Sequence, residues 1–182
     1  MAIIKHKDQR VAVLIDVQNL YHSAKNLFSS RVNFKEVLNK AVAGRQLIRA
    51  IGYVIKTETP EEKAFFDALN EIGIETKTKE LQIFPGGMKK GDWDVGLAMD
   101  AVKLSQSVDA IVLLTGDGDY IPMIDFLKNT HGTQVEVMAF GRSASARIKE
   151  AADEFTDLAD NKKFLIPSKR PQGFGRKRAY DE

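Results

Sequence analysis

The sequence contains no cysteine and only three histidines among its 182 residues. Without cysteine there is no disulfide, no thiol nucleophile and no thiolate metal site, and a reducing cytoplasm is the expected compartment. None of the three histidines, His6, His22 and His131, is placed beside a strand-end serine as a Ser-His-Asp triad requires. No segment approaches the roughly 20 apolar residues of a membrane span, and the N-terminus lacks the apolar stretch of a signal peptide.

Common phosphate-handling motifs are also missing. There is no G-x-x-x-x-G-K-[ST] segment, which argues against P-loop chemistry. The run Gly116-Asp117-Gly118-Asp119 contains glycines, but its two acids would repel a dinucleotide pyrophosphate. A phosphoaspartyl phosphatase requires Asp-x-Asp after its first strand, where this chain has Asp16-Val17-Gln18.

What the chain does contain is a regular alternation of apolar strands and helical segments. We predict five strands, at residues 11–16, 46–55, 74–81, 109–115 and 134–140. Helices are predicted between them, and a last helix is expected over residues 143–159. Continuously apolar strands are typical of buried parallel strands, so the pattern predicts an α/β fold with a central, mainly parallel five-stranded sheet and right-handed crossovers.

Carboxylates follow two of these strands directly. Asp16 ends the first strand, and Asp117 and Asp119 follow the fourth, where Gly116 and Gly118 would permit a sharp turn. Ligands of open α/β sheets bind beyond the carboxyl ends of such strands, and acids gathered there repel one another unless a cation joins them. Asp119 has an alternative role as a helix cap, whereas a charge that continues an apolar strand, as Asp16 does, is expensive to leave unpaired.

Two further acids lie on the helix predicted over residues 93–105, whose apolar face is expected to contain Val95, Ala98, Met99 and Val102. Asp94 opens this helix, as a site residue or as a cap, and Asp100 follows six residues later. Six residues turn a helix by about 600°, which leaves the two carboxylates about 120° apart. Asp94 is therefore the stronger site candidate, and Asp100 is a supporting residue, a solvent-exposed one or a contact to a loop.

The donor set indicates the kind of metal. Carboxylate oxygens without thiols and with few histidines favour Mg²⁺ or Mn²⁺ over zinc. Asn19, three residues after Asp16, is placed to orient an aspartate or a water, or simply to cap a helix. Four basic residues near the acids could contact phosphates or be plain surface charges: Lys89, Lys90, Arg142 and Arg147.

Two aromatic residues and the basic C-terminal tail each have two possible roles. Tyr21 and Trp93 could stack unpaired bases or pack in the core. Residues 168–182 carry five basic side chains against two acidic ones, so this tail is either a solvated extension or an arm that grips nucleic-acid phosphates.

Taken together, four segments resemble the NYN family of the PIN-like nuclease superfamily, and the bacterial LabA-like group in particular. They are Asp16-Val17-Gln18-Asn19-Leu20-Tyr21, Lys90-Gly91-Asp92-Trp93-Asp94-Val95, Thr115-Gly116-Asp117-Gly118-Asp119-Tyr120 and Ala151-Ala152-Asp153-Glu154-Phe155. The resemblance covers residues 10–160. It divides the chain into an N-terminal extension (1–10), an NYN/PIN-like domain (11–160) and a basic C-terminal tail (161–182).

This resemblance implies a three-layer α/β/α sandwich with a Mg²⁺-dependent ribonuclease site and RNA as the substrate. By position, Asp16, Asp94, Asp117 and Asp119 match the acidic metal site of the family, and Asn19 matches its asparagine after the first strand. One departure is Val17, where glycine is common in the family; a bulkier side chain would narrow the cleft. Related folds often pair, which leaves a homodimer open.

Two other functions remain open on the sequence. The first is an RNA-binding or protein-interacting regulatory domain of the same fold with little or no catalysis. The second is another Mg²⁺-dependent phosphotransfer or nucleotide enzyme, such as one with a Toprim-like fold, although Toprim sites usually need a glutamate where this chain has Asp16.

Overall fold

The structure is a computed structural model that describes residues 3–56, 59–80, 82–83, 89–90 and 92–167. Its strands are β1 (Arg10–Asp16), β2 (Ser30–Val32), β3 (Gln46–Lys56), β4 (Glu75–Glu80), β5 (Gln82–Ile83), β6 (Lys89–Lys90), β7 (Ala110–Leu114), β8 (Gln134–Ala139), β9 (Glu154–Asp157) and β10 (Leu165–Pro167). Its α-helices are α1 (Val17–Phe28), α2 (Phe34–Val42), α3 (Pro60–Glu71), α4 (Asp94–Leu104), α5 (Ile121–His131) and α6 (Ala146–Ala151). Within these ranges, no helix is long and apolar enough to cross a membrane.

The central sheet has six strands in the order β4-β3-β1-β7-β8-β9, and every neighbouring pair is parallel. The α/β prediction is confirmed, with one more strand than the five predicted. From β1 the chain first builds outward through β3 and β4, and it then returns to place β7 on the other side of β1. The strand order therefore reverses between β1 and β7, and the crevice at such a switch point is where α/β sheets bind ligands.

Helices cover both faces of this sheet, which makes three layers. Alternate residues of β1 point to opposite faces, so Val13 and Ile15 pack in the core beneath α1–α3. Leu14 packs in the second core, beneath α4–α6. Because β1 is buried on both faces, its sequence is a continuous apolar run, as the central strand of a parallel sheet requires.

The sixth strand corrects the helix predicted over residues 143–159. The α6 helix ends at Ala151, and β9 pairs with β8 from Glu154. The switch occurs at Asp153, whose amide donates to the Val135 carbonyl at 2.8 Å and whose carboxylate accepts from the Val135 amide at 2.8 Å. Pairing with β8 thus outweighs the helical spacing of the apolar residues in this segment.

The α4 helix buries a different face from the predicted one. Leu97 and Ala101 are fully buried, whereas Val95 and Met99 are 75% and 50% exposed. The segment is apolar on nearly every side, so its periodicity does not select a face. The face is selected instead by Asp94 and Asp100, whose hydrogen bonds are described below.

Residues 161–167, which the sequence assigns to the basic tail, fold back onto the domain. Phe164 is 5% exposed, and β10 forms a small antiparallel sheet with β2. The carbonyl of Phe164 also accepts from the amide of Asn33, which caps α2. This segment therefore belongs to the folded body, and residues 168–182 lie outside the described residues.

A buried ion pair lies near the amino-terminal ends of the strands. Arg45 and Glu136 have side chains 0% and 3% exposed and form two hydrogen bonds. Lys5 adds a contact of 2.9 Å from its Nζ to Glu136 Oε2 and also pairs with Glu154. Burial alone would raise the pKa of Glu136, but Arg45 and Lys5 outweigh this effect and lower it.

Candidate metal centre

Asp16 lies at the carboxyl end of β1, where it also caps α1. One carboxylate oxygen accepts from the Asn19 amide at 3.0 Å, and the other accepts from the Thr115 hydroxyl at 3.2 Å. The register that aligns Val11 with Ala110 brings the ends of β1 and β7 side by side. The carboxylate therefore lies at the switch point of the sheet, partly buried between two strand ends.

The loop after β7 is tied to Asp16 and its helix. Thr115 is fully buried, and its hydroxyl makes two hydrogen bonds. It donates to Asp16, and it accepts a hydrogen bond from the Asp117 amide at 3.3 Å. The amide oxygen of the Asn19 side chain accepts from the Gly116 amide at 3.0 Å. Asn19 thus uses its backbone to orient Asp16 and its side chain to hold the loop that presents Asp117.

The two glycines of this loop are explained by close packing and not by turn conformation. Neither Gly116 nor Gly118 has a positive φ angle. A Cβ atom at Gly116 would lie 2.8 Å from the Cα of Ala144, and one at Gly118 would lie 3.1 Å from the hydroxyl of Ser145. The Ser145 amide also donates to the Gly116 carbonyl at 2.9 Å. Close contact with residues 144–145, and not a left-handed backbone, therefore favours glycine at these two positions.

Asp94 approaches from α4 and completes the acidic group. Its carboxylate accepts from the Tyr120 hydroxyl at 2.9 Å. The pKa of Asp16 is raised, chiefly by burial. Its hydrogen bonds with Asn19 and Thr115 lower this pKa, and the nearby charges of Asp94 and Asp117 raise it, so that the net shift is upward. Burial and the charges of the same three acids also raise the pKa of Tyr120. The structure therefore places both Asp94 and Asp117 within electrostatic range of Asp16.

Asp100 lies outside this group. It accepts from the Tyr53 hydroxyl at 2.8 Å and from the Lys77 ammonium at 2.6 Å. Burial would raise the pKa of Asp100, but these two donors outweigh it and lower the pKa.

Helix geometry explains why the two acids of α4 separate. At 100° per residue, Leu97 lies about midway between Asp94 and Asp100 around the axis. With Leu97 buried, the two carboxylates flank the buried face, and each finds a tyrosine on its own side.

The other predicted site residues occupy the periphery. Asp119 is exposed, and its amide donates to the Asp117 carboxylate at 2.9 Å. Arg142 follows β8 and Arg147 lies on α6, both exposed. The side chains of Lys89 and Lys90 lie outside the described residues, although their backbone pairs with β5.

Three residues of uncertain role in the sequence have clear positions. Val17 is 4% exposed and packs in the core against Gly52, so it does not project over the acids. Trp93 donates from its ring to the Val54 carbonyl at 2.9 Å and packs on Tyr53, which makes it a structural residue. Tyr21 is 42% exposed and is not part of the core.

Sequence reasoning missed the two hydroxyl residues that organise the acids, Thr115 and Tyr120. Both lie inside the segment Thr115–Tyr120 that carries Asp117 and Asp119. Their position at the two ends of this acidic loop was the available signal, because buried carboxylates need nearby hydrogen-bond donors.

The donor chemistry fits a hard divalent cation. Within the described ranges, no three carboxylate or histidine side chains stand close enough to form a ready-made cage. Mg²⁺ does not require one, because it keeps several waters and uses one or two carboxylates together with substrate phosphates. Burial is the main cause of the raised pKa of Asp16, and Asp94 and Asp117 add negative charge that such an ion would neutralise. Asp16, Asp94 and Asp117 are the residues that would hold it.

Comparisons with known proteins agree with this architecture. The model of the NYN domain family matches residues 10–159. The Low amplitude and bright protein LabA of Synechococcus elongatus is 24% identical over 177 residues, which cover 92% of this chain and 94% of the relative. A crystal structure of a protein of unknown function from Vibrio parahaemolyticus superimposes with a TM-score of 0.82 at 27% identity, covering 90% of this chain and all of that one.

Proposed function

This chain belongs to the NYN domain family, and we propose that it is a Mg²⁺- or Mn²⁺-dependent ribonuclease that hydrolyses RNA phosphodiester bonds. The observation that carries the proposal is the approach of Asp16, Asp94 and Asp117 at the switch point between β1 and β7. Like charges gathered beside a buried strand end are costly unless a cation binds there. The lack of cysteine is consistent with work in the reducing cytoplasm.

Each residue of the centre has a definite task in this proposal. Asp16, Asp94 and Asp117 hold the ion, and Asp119, at the solvent side, assists directly or through water. Asn19 and Thr115 keep the two strand ends in register, and the Tyr120 hydroxyl orients the Asp94 carboxylate. A divalent ion held there would lower the pKa of a water and stabilise charge on the phosphoryl group.

Basic residues around the centre are proposed to contact the RNA backbone. Arg142 and Arg147 are exposed and follow β8, the strand that neighbours β7 on the side away from β1. Lys89 and Lys90 precede Asp94 in sequence. Such contacts would add affinity without sequence preference, and they would weaken as the salt concentration rises.

A second candidate is an RNA-binding regulatory domain with little or no catalysis. It is favoured by one observation, that the described residues contain no preformed cage of three metal-binding side chains. The two functions differ in one measurable property, because only the enzyme cuts RNA in the presence of the metal.

The test is a cleavage assay with labelled single-stranded RNA in Mg²⁺, Mn²⁺ or EDTA. We expect cleavage in either metal and none in EDTA. The rate should fall by at least about 10- to 100-fold in Asp16→Asn and in Asp117→Asn, since that is the usual cost of losing a residue that only supports a metal ligand. Asp125→Asn changes an exposed acid on α5 and should cut like the parent protein. Tight RNA binding without cleavage in either metal would favour the regulatory function.

A further inference from the structure

A groove with an apolar floor leads away from the acidic centre between α1 and α3. It begins with a cavity of about 290 Å³ beside the end of β3, lined by Val17, Gln18, Tyr21 and Phe65 among others. It continues into a cavity of about 360 Å³, which Tyr21 and Phe65 also line and which extends to Arg31 and Lys35. Each cavity is of the size that accepts a small molecule or a single planar ring.

This groove starts at the same edge of the sheet as the carboxylates. Gln18 is two residues from Asp16, at the first turn of the helix that Asp16 caps. Val54 and Ile55, which also line the first cavity, directly follow the residue of β3 that is paired with Asp16. A chain bound at the acidic centre could therefore continue along α1 without leaving the protein surface.

The groove combines aromatic surface with positive charge. The Tyr21 ring is 42% exposed, and the Lys25 ammonium lies 5.7 Å from its centre. Phe65 packs edge-on against Phe34 at 5.8 Å, so its ring is held in place. Among the described residues, neither Arg31 nor Lys35 has an ion-pair partner, so both are available to an anion. Glu62 contributes one acid at the end of the groove near the centre.

We propose that this groove binds unpaired bases of a single-stranded RNA, with one base stacked on Tyr21 and the phosphates near Arg31 and Lys35. Aromatic rings that stack bases beside basic side chains that contact the backbone are the usual means of holding single strands. The inference rests on RNA being the substrate of the acidic centre, and it adds where the strand lies next to that centre. An apolar peptide would use the floor of the groove but not its cations.

The test measures binding of a labelled eight-nucleotide single-stranded RNA by fluorescence anisotropy, with the full chain in EDTA so that cleavage does not interfere. A second oligomer has the same backbone but no bases. The variants are Tyr21→Ala, Tyr21→Phe and, as a matched control, Phe126→Ala, which removes a 43% exposed ring from α5 on the opposite layer. Thermal melts check that each variant is folded.

We expect Tyr21→Ala to weaken binding of the base-containing RNA about tenfold. Tyr21→Phe should bind within about twofold of the parent chain, because stacking needs the ring and not the hydroxyl. Phe126→Ala should have no effect. The oligomer without bases should bind weakly, and equally to the parent chain and to Tyr21→Ala.

An unchanged affinity in Tyr21→Ala would overturn the groove proposal. So would equal binding of the two oligomers by the parent chain, which would leave the groove to a protein partner. These outcomes are separable from the fate of the ribonuclease proposal. Binding that depends on Tyr21, in a protein that never cuts RNA, would support the groove and remove the catalytic function, whereas cleavage without dependence on Tyr21 would do the reverse.

Discussion

Replacing Asp16 with asparagine should stabilise the metal-free protein. The carboxylate is partly buried at the end of β1, and its pKa is raised by burial and by the charges of Asp94 and Asp117. Asparagine has nearly the same shape, is a good helix cap and can still accept the Asn19 amide at the position where Asp16 does so at 3.0 Å. The substitution therefore removes the repulsion and retains the hydrogen bond that begins α1, while the group that faces the Thr115 hydroxyl becomes an NH2 that donates to it instead of accepting from it.

The size of the effect follows from these opposing contributions. Relieving a destabilised functional site commonly gains about 1 kcal/mol, which for a chain of this length raises the melting temperature by about 3 °C. The pH dependence has a definite sign. Because the folded pKa of Asp16 is raised, the metal-free parent protein loses stability as the pH rises above the unfolded value of about 3.9, up to the folded pKa. Asp16→Asn lacks that loss.

Magnesium should reverse the order of the two proteins. At a free Mg²⁺ concentration ten times its Kd, the parent protein gains about 1.4 kcal/mol, or about 4 °C. Asp16→Asn should gain far less, because one of the proposed ligands has lost its charge. The assay is differential scanning calorimetry in EDTA and across a Mg²⁺ series, with the Kd measured separately by titration calorimetry.

Asp125→Asn serves as the matched control, since Asp125 is an exposed acid on α5. It should melt like the parent protein in EDTA and respond equally to Mg²⁺. Two results would contradict these expectations: a melting temperature of Asp16→Asn below that of the parent protein in EDTA, or an equal rise of both melting temperatures in Mg²⁺.

Three further predictions concern other parts of the chain. Glu136→Gln leaves the buried charge of Arg45 without its partner and should lower the free energy of unfolding in urea by about 3 kcal/mol. Because the folded pKa of Glu136 is lowered, the stability that its charge contributes is present above the unfolded pKa of about 4.3 and is lost as the pH falls. The stabilities of the parent and the variant should therefore converge in acid. Asp100→Asn should cost less than about 1 kcal/mol, since Lys77 is 37% exposed, and should leave the Mg²⁺ affinity unchanged; a large loss of affinity would make Asp100 a ligand. Deleting residues 168–182 should flatten the dependence of log Kd for RNA on log salt by about 0.7 for each phosphate that the tail neutralises, and an unchanged slope would show that the tail neutralises none.

Five of the six strands of the sheet were predictable because they rest on local signals. The continuous apolar runs of β1 and β7 identified central strands, and the acids that follow them indicated the edge where a site would form. Chain topology then brings those ends together, so the grouping of Asp16 with Asp117 required no knowledge of side-chain contacts. Asp94 was favoured over Asp100 on helix geometry alone, and the structure gives the two acids different partners.

The parts that sequence could not supply depend on long-range contacts. The strand β9 pairs with β8, and Asp153 just before it bonds to Val135, eighteen residues away; no local pattern records these contacts. The buried face of α4 is selected by Tyr53 and Tyr120, which lie on other elements. Ala144 leaves no room for a side chain at Gly116, and Ser145 lies close to Gly118, whereas the sequence indicated only a sharp turn there.

Whether Asp16, Asp94 and Asp117 share a metal ion is tested most directly by the position of a bound Mn²⁺ ion, determined by anomalous scattering from crystals soaked at several times the measured Kd. We expect one strong peak, or two about 4 Å apart, among the carboxylates of Asp16, Asp94 and Asp117. A peak elsewhere on the protein, or a crevice between β1 and β7 that stays free of Mn²⁺ at that concentration, would contradict this expectation.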